Sequence, residues 1–289
     1  MTSPDRLSLY LDRLGLEHAP PASAEGLATL QAAHRERIPF ENLDVRLGRP
    51  PAIDSDAVFG KLVTRRRGGY CFEHNRLFSD MLAMLGIPNR PLLARVRLGV
   101  APDETPPRTH VLLLAQVDGA PWIADAGFGG SYVPPLPLRD GASVRTGDGA
   151  AHRLRRIGEA GDPGGEWLLE RAGDAGATDG RAGPQADWQA QYGFDLLPVV
   201  QADLDQCNHW TATRPATRFT TLHVVSIALP DGFASLTEQA LKVHRGGALH
   251  EAVLAGPDDY HRCLAGQFHL DLDREDLARL PLFSKAIRR

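Results

Sequence analysis

Arg65-Arg66-Arg67-Gly68-Gly69-Tyr70-Cys71-Phe72-Glu73-His74-Asn75 is the stretch on which the reading of the fold turns. Two glycines permit a sharp change of backbone direction, and a thiol follows almost at once. Phe72, Leu77, Phe78, Met81, Leu82 and Leu85 then recur mostly at helical spacing until Gly86 and Pro88 stop the run. Cys71 is therefore predicted in the first turn of a helix. Unpaired N–H groups and the positive end of the helix dipole there favour a thiolate. Arg65, Arg66 and Arg67 are expected to add positive charge beside it. A cysteine in apolar company is usually a small buried hydrophobe. A catalytic reading therefore needs a base and an orienting acid elsewhere in the chain.

Upstream, the helical period continues. Leu7, Leu9, Tyr10, Leu11 and Leu14 stripe residues 5–15, and Gly15 ends them. Ser23 is a predicted N-cap for a second helix through Leu27, Leu30 and His34. Pro39 imposes an extended segment, Ile38-Pro39-Phe40-Glu41-Asn42-Leu43-Asp44. Val58, Phe59, Leu62 and Val63 predict a third short helix over residues 54–64. Residues 1–86 thus read as a helical bundle that carries Cys71.

Downstream of Pro91 the period becomes that of strands: Leu92 to Leu98, Thr109 to Val117 and Trp122 to Ala126. Asp118-Gly119 is a strong hairpin turn signal. With that turn, Val117 faces Ala120 and Leu112 faces Asp125, so His110 and Asp125 share one face of the hairpin, diagonally placed. A turn longer by a single residue would break this parity. Ala126-Gly127-Phe128-Gly129-Gly130 reads as a loop of close backbone approach or a tight barrel bend. Leu154 and Trp167-Leu168-Leu169 suggest further short strands, and Asp174 to Pro184 a mobile surface loop. Residues 87–197 are assigned to a β-barrel. Residues 198–289 read as a smaller α/β lid. It would hold a helix near Leu204, a strand from Thr220 to Leu229, short strand or coil pieces from Phe233 to Val253, and an amphipathic helix from Asp258 to Phe268.

The whole chain bounds the reading. Its 289 residues predict two or three domains, and 43% hydrophobic with 24% charged residues suits a folded soluble protein. A net charge of −4 argues against nucleic acid or an anionic membrane as partner. No N-terminal signal or spanning run is evident. Three scattered cysteines, Cys71, Cys207 and Cys263, make neither a disulfide framework nor a zinc motif, so a cytoplasmic protein without a metal is expected. Cys207 beside His209 is more simply read as packing.

Cys71, His110 and Asp125 remain as nucleophile, base and orienter. His74, three residues after Cys71, competes as base but has no evident acid, and is expected to pack or cap locally. At these residues the chain resembles the arylamine N-acetyltransferases. The three segments are Arg67 to Asn75, Arg108-Thr109-His110 and Asp125-Ala126-Gly127-Phe128-Gly129, and Ile38 to Asp44 is similar to that family's N-terminal signature. Tyr192-Gly193-Phe194, Asn208-His209-Trp210 and Arg218-Phe219 match more loosely.

The resemblance implies an α+β multidomain fold of helical bundle, barrel and lid, with a Cys-His-Asp triad like that of cysteine proteases. It implies acetyl-CoA as cosubstrate with no tightly bound cofactor. It implies ping-pong transfer through an acetyl-cysteine thioester to arylamines, arylhydrazines or N-hydroxyarylamines, by a monomer or homodimer. It places Phe40, Phe128 and Phe219 at the acceptor, and Thr109, Gly129 and Gly130 near CoA. Ala126 stands where the family pattern has Val, which is expected to widen the pocket; Pro281, Phe283 and Arg288 match no pattern. The same triad would serve an amide synthase closing a polyketide macrolactam, or a cysteine hydrolase or transglutaminase-like enzyme. A binding module with Cys71 in its core is the non-catalytic alternative. Loading by acetyl-CoA, peptidase activity and iodoacetamide reactivity separate these readings.

Overall fold

The computed structural model describes residues 5–101, 103–181 and 187–284. Local signals place the first helices. In α1 (Arg6–Leu14) the Asp5 carboxylate accepts from the Ser8 N–H at 2.7 Å, and Gly15 closes the helix at φ 73°. In α2 (Ala24–Arg37) Ser23 Oγ accepts from the Gly26 N–H at 3.2 Å. Pro39 then directs the chain into β1 (Phe40–Glu41), followed by α3 (Leu43–Arg46). The predicted third helix is split. α4 (Ser55–Phe59) passes into a π turn over Gly60–Thr64, where the Arg65 N–H reaches back five residues to the Gly60 carbonyl at 3.0 Å. Lys61 is buried within this turn. α5 (Cys71–Met84) begins at the thiol, and the Glu73 carboxylate accepts the Tyr70 N–H at 3.1 Å.

The central sheet has eight antiparallel strands: β2 (Asn89–Val96), β3 (Arg108–Val117), β4 (Ala120–Ala124), β5 (Leu136–Pro137), β6 (Ser143–Arg145), β7 (Ala151–Arg156), β8 (Trp167–Ala172) and β9 (Gln189–Phe194), ordered β5-β4-β3-β2-β9-β8-β7-β6. The link between the two edge strands nearly closes it. Leu138 N–H donates to the Pro121 carbonyl on β4, and Gly141 N–H to the Leu154 carbonyl on β7, each within 2.9 Å. The result is a nearly closed barrel around Leu92, Leu112, Ile123, Leu136, Leu154 and Leu169. The β3–β4 hairpin has the expected register, Val117 opposite Ala120, with both turn residues at positive φ (Asp118 52°, Gly119 74°).

The second sheet runs β1-β10-β11-β12-β13. After α6 (Gln201–Thr213), α7 (Arg218–Thr221) occupies residues expected to begin a strand. The strand starts later because Thr220 Oγ1 accepts the Thr217 N–H at 3.1 Å, and Asn42 Nδ2 donates to the Phe219 and Leu222 carbonyls at 2.9 and 2.8 Å. β10 (Val224–Leu229), β11 (Gly232–Thr237), β12 (Ala240–Arg245) and β13 (Ala248–Val253) follow as a regular meander. α8 (Pro257–Phe268), α9 (Arg274–Arg279) and α10 (Pro281–Ser284) close the chain, and their Tyr260, Leu264, Phe268 and Phe283 share a core with Val225 and Ile227 of β10. Phe283 thereby acquires a place; Arg288 lies outside the described residues. β1 pairs with β10, Phe40 opposite Ser226, although it comes from the N-terminal third.

Residues 174–181 are not the expected mobile loop. Ala175–Ala177 form a 3-10 turn, and Ala177, Thr178 and Asp179 are buried. The rest of that predicted loop, through Pro184, lies outside the described residues.

Candidate active site

Three elements meet at Cys71. Its helix begins against the segment Pro39–Glu41, where Glu41 N–H donates to the Gly69 carbonyl at 2.7 Å and Gly69 N–H to the Pro39 carbonyl at 3.3 Å. A Cβ on Gly68 would stand 2.2 Å from the Pro39 oxygen, so this glycine is required for close approach. The hairpin supplies His110. Between β2 and β3 the register shifts, with Ala94 opposite His110 and Arg95 opposite Arg108, and Thr109 is left as the extra residue of a bulge. The thiol of Cys71 donates to the Thr109 carbonyl at 3.5 Å.

His110 Nε2 lies 2.7 Å from Asp125 Oδ2, and both side chains are buried. Burial opposes ionisation of Asp125, but His110, Asn75 and the Gly127 N–H outweigh it and hold the carboxyl below its ordinary value. A carboxylate accepts, so the imidazole proton sits on Nε2. The Nδ1 lone pair is left as the basic position.

The thiol is not as the helix-end argument predicts. Burial pushes it up, the charge of Asp125 adds to that, and the N–H groups of Val111, Phe72 and Cys71 pull the other way without prevailing. The three arginines do not help. Arg67 is drawn into Glu41 and Asp44 at 2.9 and 3.2 Å, the Arg66 carbonyl accepts from Asp271, and Arg65 borders a separate polar cleft with Asp271 and Asp276. Burial thus disfavours a free thiolate at Cys71 in this setting.

Cys71 and His110 open onto a cavity of about 240 Å³, lined also by Phe40, Thr109, Phe128, Gly129 and Phe219. Asp125 stands behind His110. Gly130 is outside the lining: its carbonyl accepts from Asp179, and a Cβ there would meet Leu98 and Phe128 within 2.9 Å. Among the described residues no cluster of His, Cys, Asp and Glu could hold a metal, and no helix is long and apolar enough to cross a membrane.

A family model described as N-acetyltransferase matches residues 23–277. The arylamine N-acetyltransferase / N-hydroxyarylamine O-acetyltransferase of Salmonella typhimurium is 36% identical over 92% of this chain and 89% of its own. The chain belongs to the arylamine N-acetyltransferase family. It is thus an acyltransferase. A solved structure of the Salmonella typhimurium arylamine N-acetyltransferase superposes with a TM-score of 0.85 at 33% identity, covering 98% of this chain and 99% of that one. The Mycobacterium marinum arylamine N-acetyltransferase in complex with CoA gives 0.82 at 31% identity, over 95% and 98% of the two chains.

Several residues of the candidate site carry no signal in the sequence. Asn75, four residues after Cys71 and so on the same helix face, donates from Nδ2 to Asp125 Oδ1 at 3.1 Å and to the Val111 carbonyl at 2.7 Å. Its Oδ1 accepts the Ala126 N–H at 3.1 Å. Gln31 accepts the Asp125 N–H at 2.9 Å, and Arg35 donates to the Phe128 carbonyl at 3.1 Å. Tyr192 packs its ring 4.9 Å from His110. His74 is a packing residue, as expected: Nε2 donates to the Pro39 carbonyl at 3.0 Å, and His34 Nε2 and Tyr10 Oη continue a buried chain at 2.8 Å each. One set of neutral tautomers satisfies the whole chain. Ala126 does not border the pocket. It is fully buried in the core of α2 and α5 with Leu27, Leu30 and Phe78, so its small size bears on packing there.

Proposed function

We propose that this enzyme transfers acetyl groups from acetyl-CoA to aromatic amines, arylhydrazines or N-hydroxyarylamines by a ping-pong route through Cys71. The observation that carries the reading is the convergence of Cys71, at the amino end of α5, with the buried His110–Asp125 pair on one aromatic-walled cavity. Cys71 Sγ gives its proton to His110 Nδ1 and attacks the thioester carbonyl. CoA leaves as the thiol, taking the proton from His110, and acetyl-Cys71 remains. An amine then attacks that carbonyl, His110 accepts its proton, and the Cys71 sulfur is expelled and reprotonated. Asp125 keeps the Nε2 proton in place and stabilises the imidazolium.

Transfer between thioesters is nearly balanced, and an aniline or hydrazine is unprotonated at neutral pH, which suits it to the second step. Phe40 and Phe219, with ring centroids 5.8 Å apart, and Phe128 form the acceptor wall in this reading. Thr109 and Gly129 lie at the donor end, with Gly130 positioning that loop. The relatives named for arylamine acetylation and the Mycobacterium marinum complex with CoA support this choice of acceptor and donor. All three cysteines are free, which suits a reducing cytoplasm.

Intact mass after mixing with acetyl-CoA tests the proposal. One acetyl group is expected on the wild type, none on Cys71→Ala, and discharge on adding an aniline. Asp125→Asn, which misdirects the imidazole, is expected to slow loading by about 10³–10⁴-fold. No acetyl adduct on a Cys71 that iodoacetamide still alkylates would refute the donor assignment and favour an amide synthase or hydrolase.

A further inference from the structure

The cavity wall is mostly apolar, yet Arg181 and Arg218 also line it. Between them stands the buried Asp179, with Oδ2 2.7 Å from Arg181 Nε and 3.5 Å from Arg218 Nη2. The Asp179 N–H donates to the Gly130 carbonyl at 2.9 Å, tying this group to the glycine loop after Asp125. Arg181 engages both carboxylate oxygens, through its backbone N–H at 3.2 Å and Nε at 2.7 Å. Two guanidiniums thus share one carboxylate, and one positive charge is left over. Arg218 holds the unspent capacity: buried Nε has no hydrogen-bond partner among the described residues, and Nη2 makes only the long 3.5 Å ion-pair contact to Asp179. Those two donors form the edge of a guanidinium that matches the paired oxygens of a carboxylate or phosphate. An oxyanion entering an otherwise apolar cavity loses hydration, and a cation with free donors offsets that loss.

We propose that Arg218, backed by Arg181 and Asp179, is an oxyanion subsite of the acyl-transfer cavity. Its ligand is a carboxylate carried on the aromatic acceptor or a phosphate of the thioester donor. The proposal rests on the acyl-transfer reading above and adds to it a selection for charge.

Titration calorimetry on the full chain tests it without turnover, using two pairs: 4-aminobenzoate with its neutral amide, and CoA with pantetheine. In Arg218→Gln, one anionic member is expected to weaken relative to its neutral partner by about tenfold or more. Arg218→Lys, which keeps the charge but loses the paired donors, is expected to recover part of that loss. Selective loss of 4-aminobenzoate assigns the acceptor carboxylate, and selective loss of CoA assigns the donor phosphate. Wild-type ratios preserved in Arg218→Gln for both pairs, or no discrimination within either pair by the wild type, would overturn the subsite. If Arg218→Gln melts early, Arg218→Lys decides by the same ratios. Acetyl transfer from acetyl-CoA to the neutral amide, followed by mass on the wild type, reports separately on the acyl-transfer reading.

Discussion

Asn75→Ala tests how the Cys71 helix is joined to the loop that carries Asp125. The carboxamide makes three buried hydrogen bonds, to the Asp125 carboxylate, the Val111 carbonyl and the Ala126 N–H. Neutral bonds contribute about 1 kcal/mol each and a bond to a charged group about 1.5–3 kcal/mol. Asn75 also borders a second cavity of about 250 Å³, beside Phe72 and Leu204, from which water can reach part of the gap. The net expectation is a loss of about 2–4 kcal/mol, within the stability of a typical domain. Urea unfolding should show a lower midpoint at unchanged slope. Single-turnover acetylation of Cys71 should slow by about 10–100-fold as His110 loses its fixed support. The pH dependence carries a definite sign. Asp125 is held below its ordinary value, so its contribution is present above the unfolded carboxylate pKa and fades as pH falls through the folded one. The gap between variant and wild type should therefore narrow in acid. A loss below about 1 kcal/mol with loading at the wild-type rate would show that Asn75 does not join the two elements.

Four further outcomes follow from the same geometry. Burial holds His34 well below its ordinary value and both His74 and His152 at about 3, so all three stay neutral where the unfolded chain is protonated. Each contributes stability that is full above the unfolded pKa and lost below about pH 6.5 at up to about 1.4 kcal/mol per pH unit, opposed by Glu73, which burial raises to about 7. Urea midpoints should therefore fall from pH 7 to 5, and a flat profile would count against neutral buried histidines. Lys61→Met leaves Glu41 and Asp44 with Arg67 alone and buried Glu73 with no cation among the described residues, and should cost about 3–5 kcal/mol in chemical unfolding. Gly129→Ala places a Cβ 2.7 Å from the Phe40 ring, so KM for an aniline should rise at a stability cost of about 1–3 kcal/mol. Ala126→Val overpacks the α2–α5 core by a similar amount, about 1–3 kcal/mol in urea, and should leave acceptor KM as in the wild type.

Local signals were legible where one residue decides one conformation. Ser23, Gly15 and Asp118-Gly119 act through bonds or dihedrals a few residues away, and the period-two register carries the turn's parity from Val117 out to His110 and Asp125. What pairs across the chain was not legible. Gln31 meets Asp125 across 94 residues, and Arg35 meets Phe128 across 93, from a helix whose periodicity names a buried face but not what covers it. The same reason explains the arginines before Cys71. Proximity in sequence suggested help for the thiolate, but a fully buried Glu41 and a nearby Asp44 claim Arg67, since a buried carboxylate without a partner costs more than a surface arginine gains elsewhere. In the proposed mechanism the thiol, stripped of that charge, depends on His110 for its proton transfer. In that proposal the tautomer set by Asp125 activates Cys71; Gly68 lets the chain before the Cys71 helix pack closely on Pro39 and Glu41, and Gly69 leaves room for the Glu73 side chain.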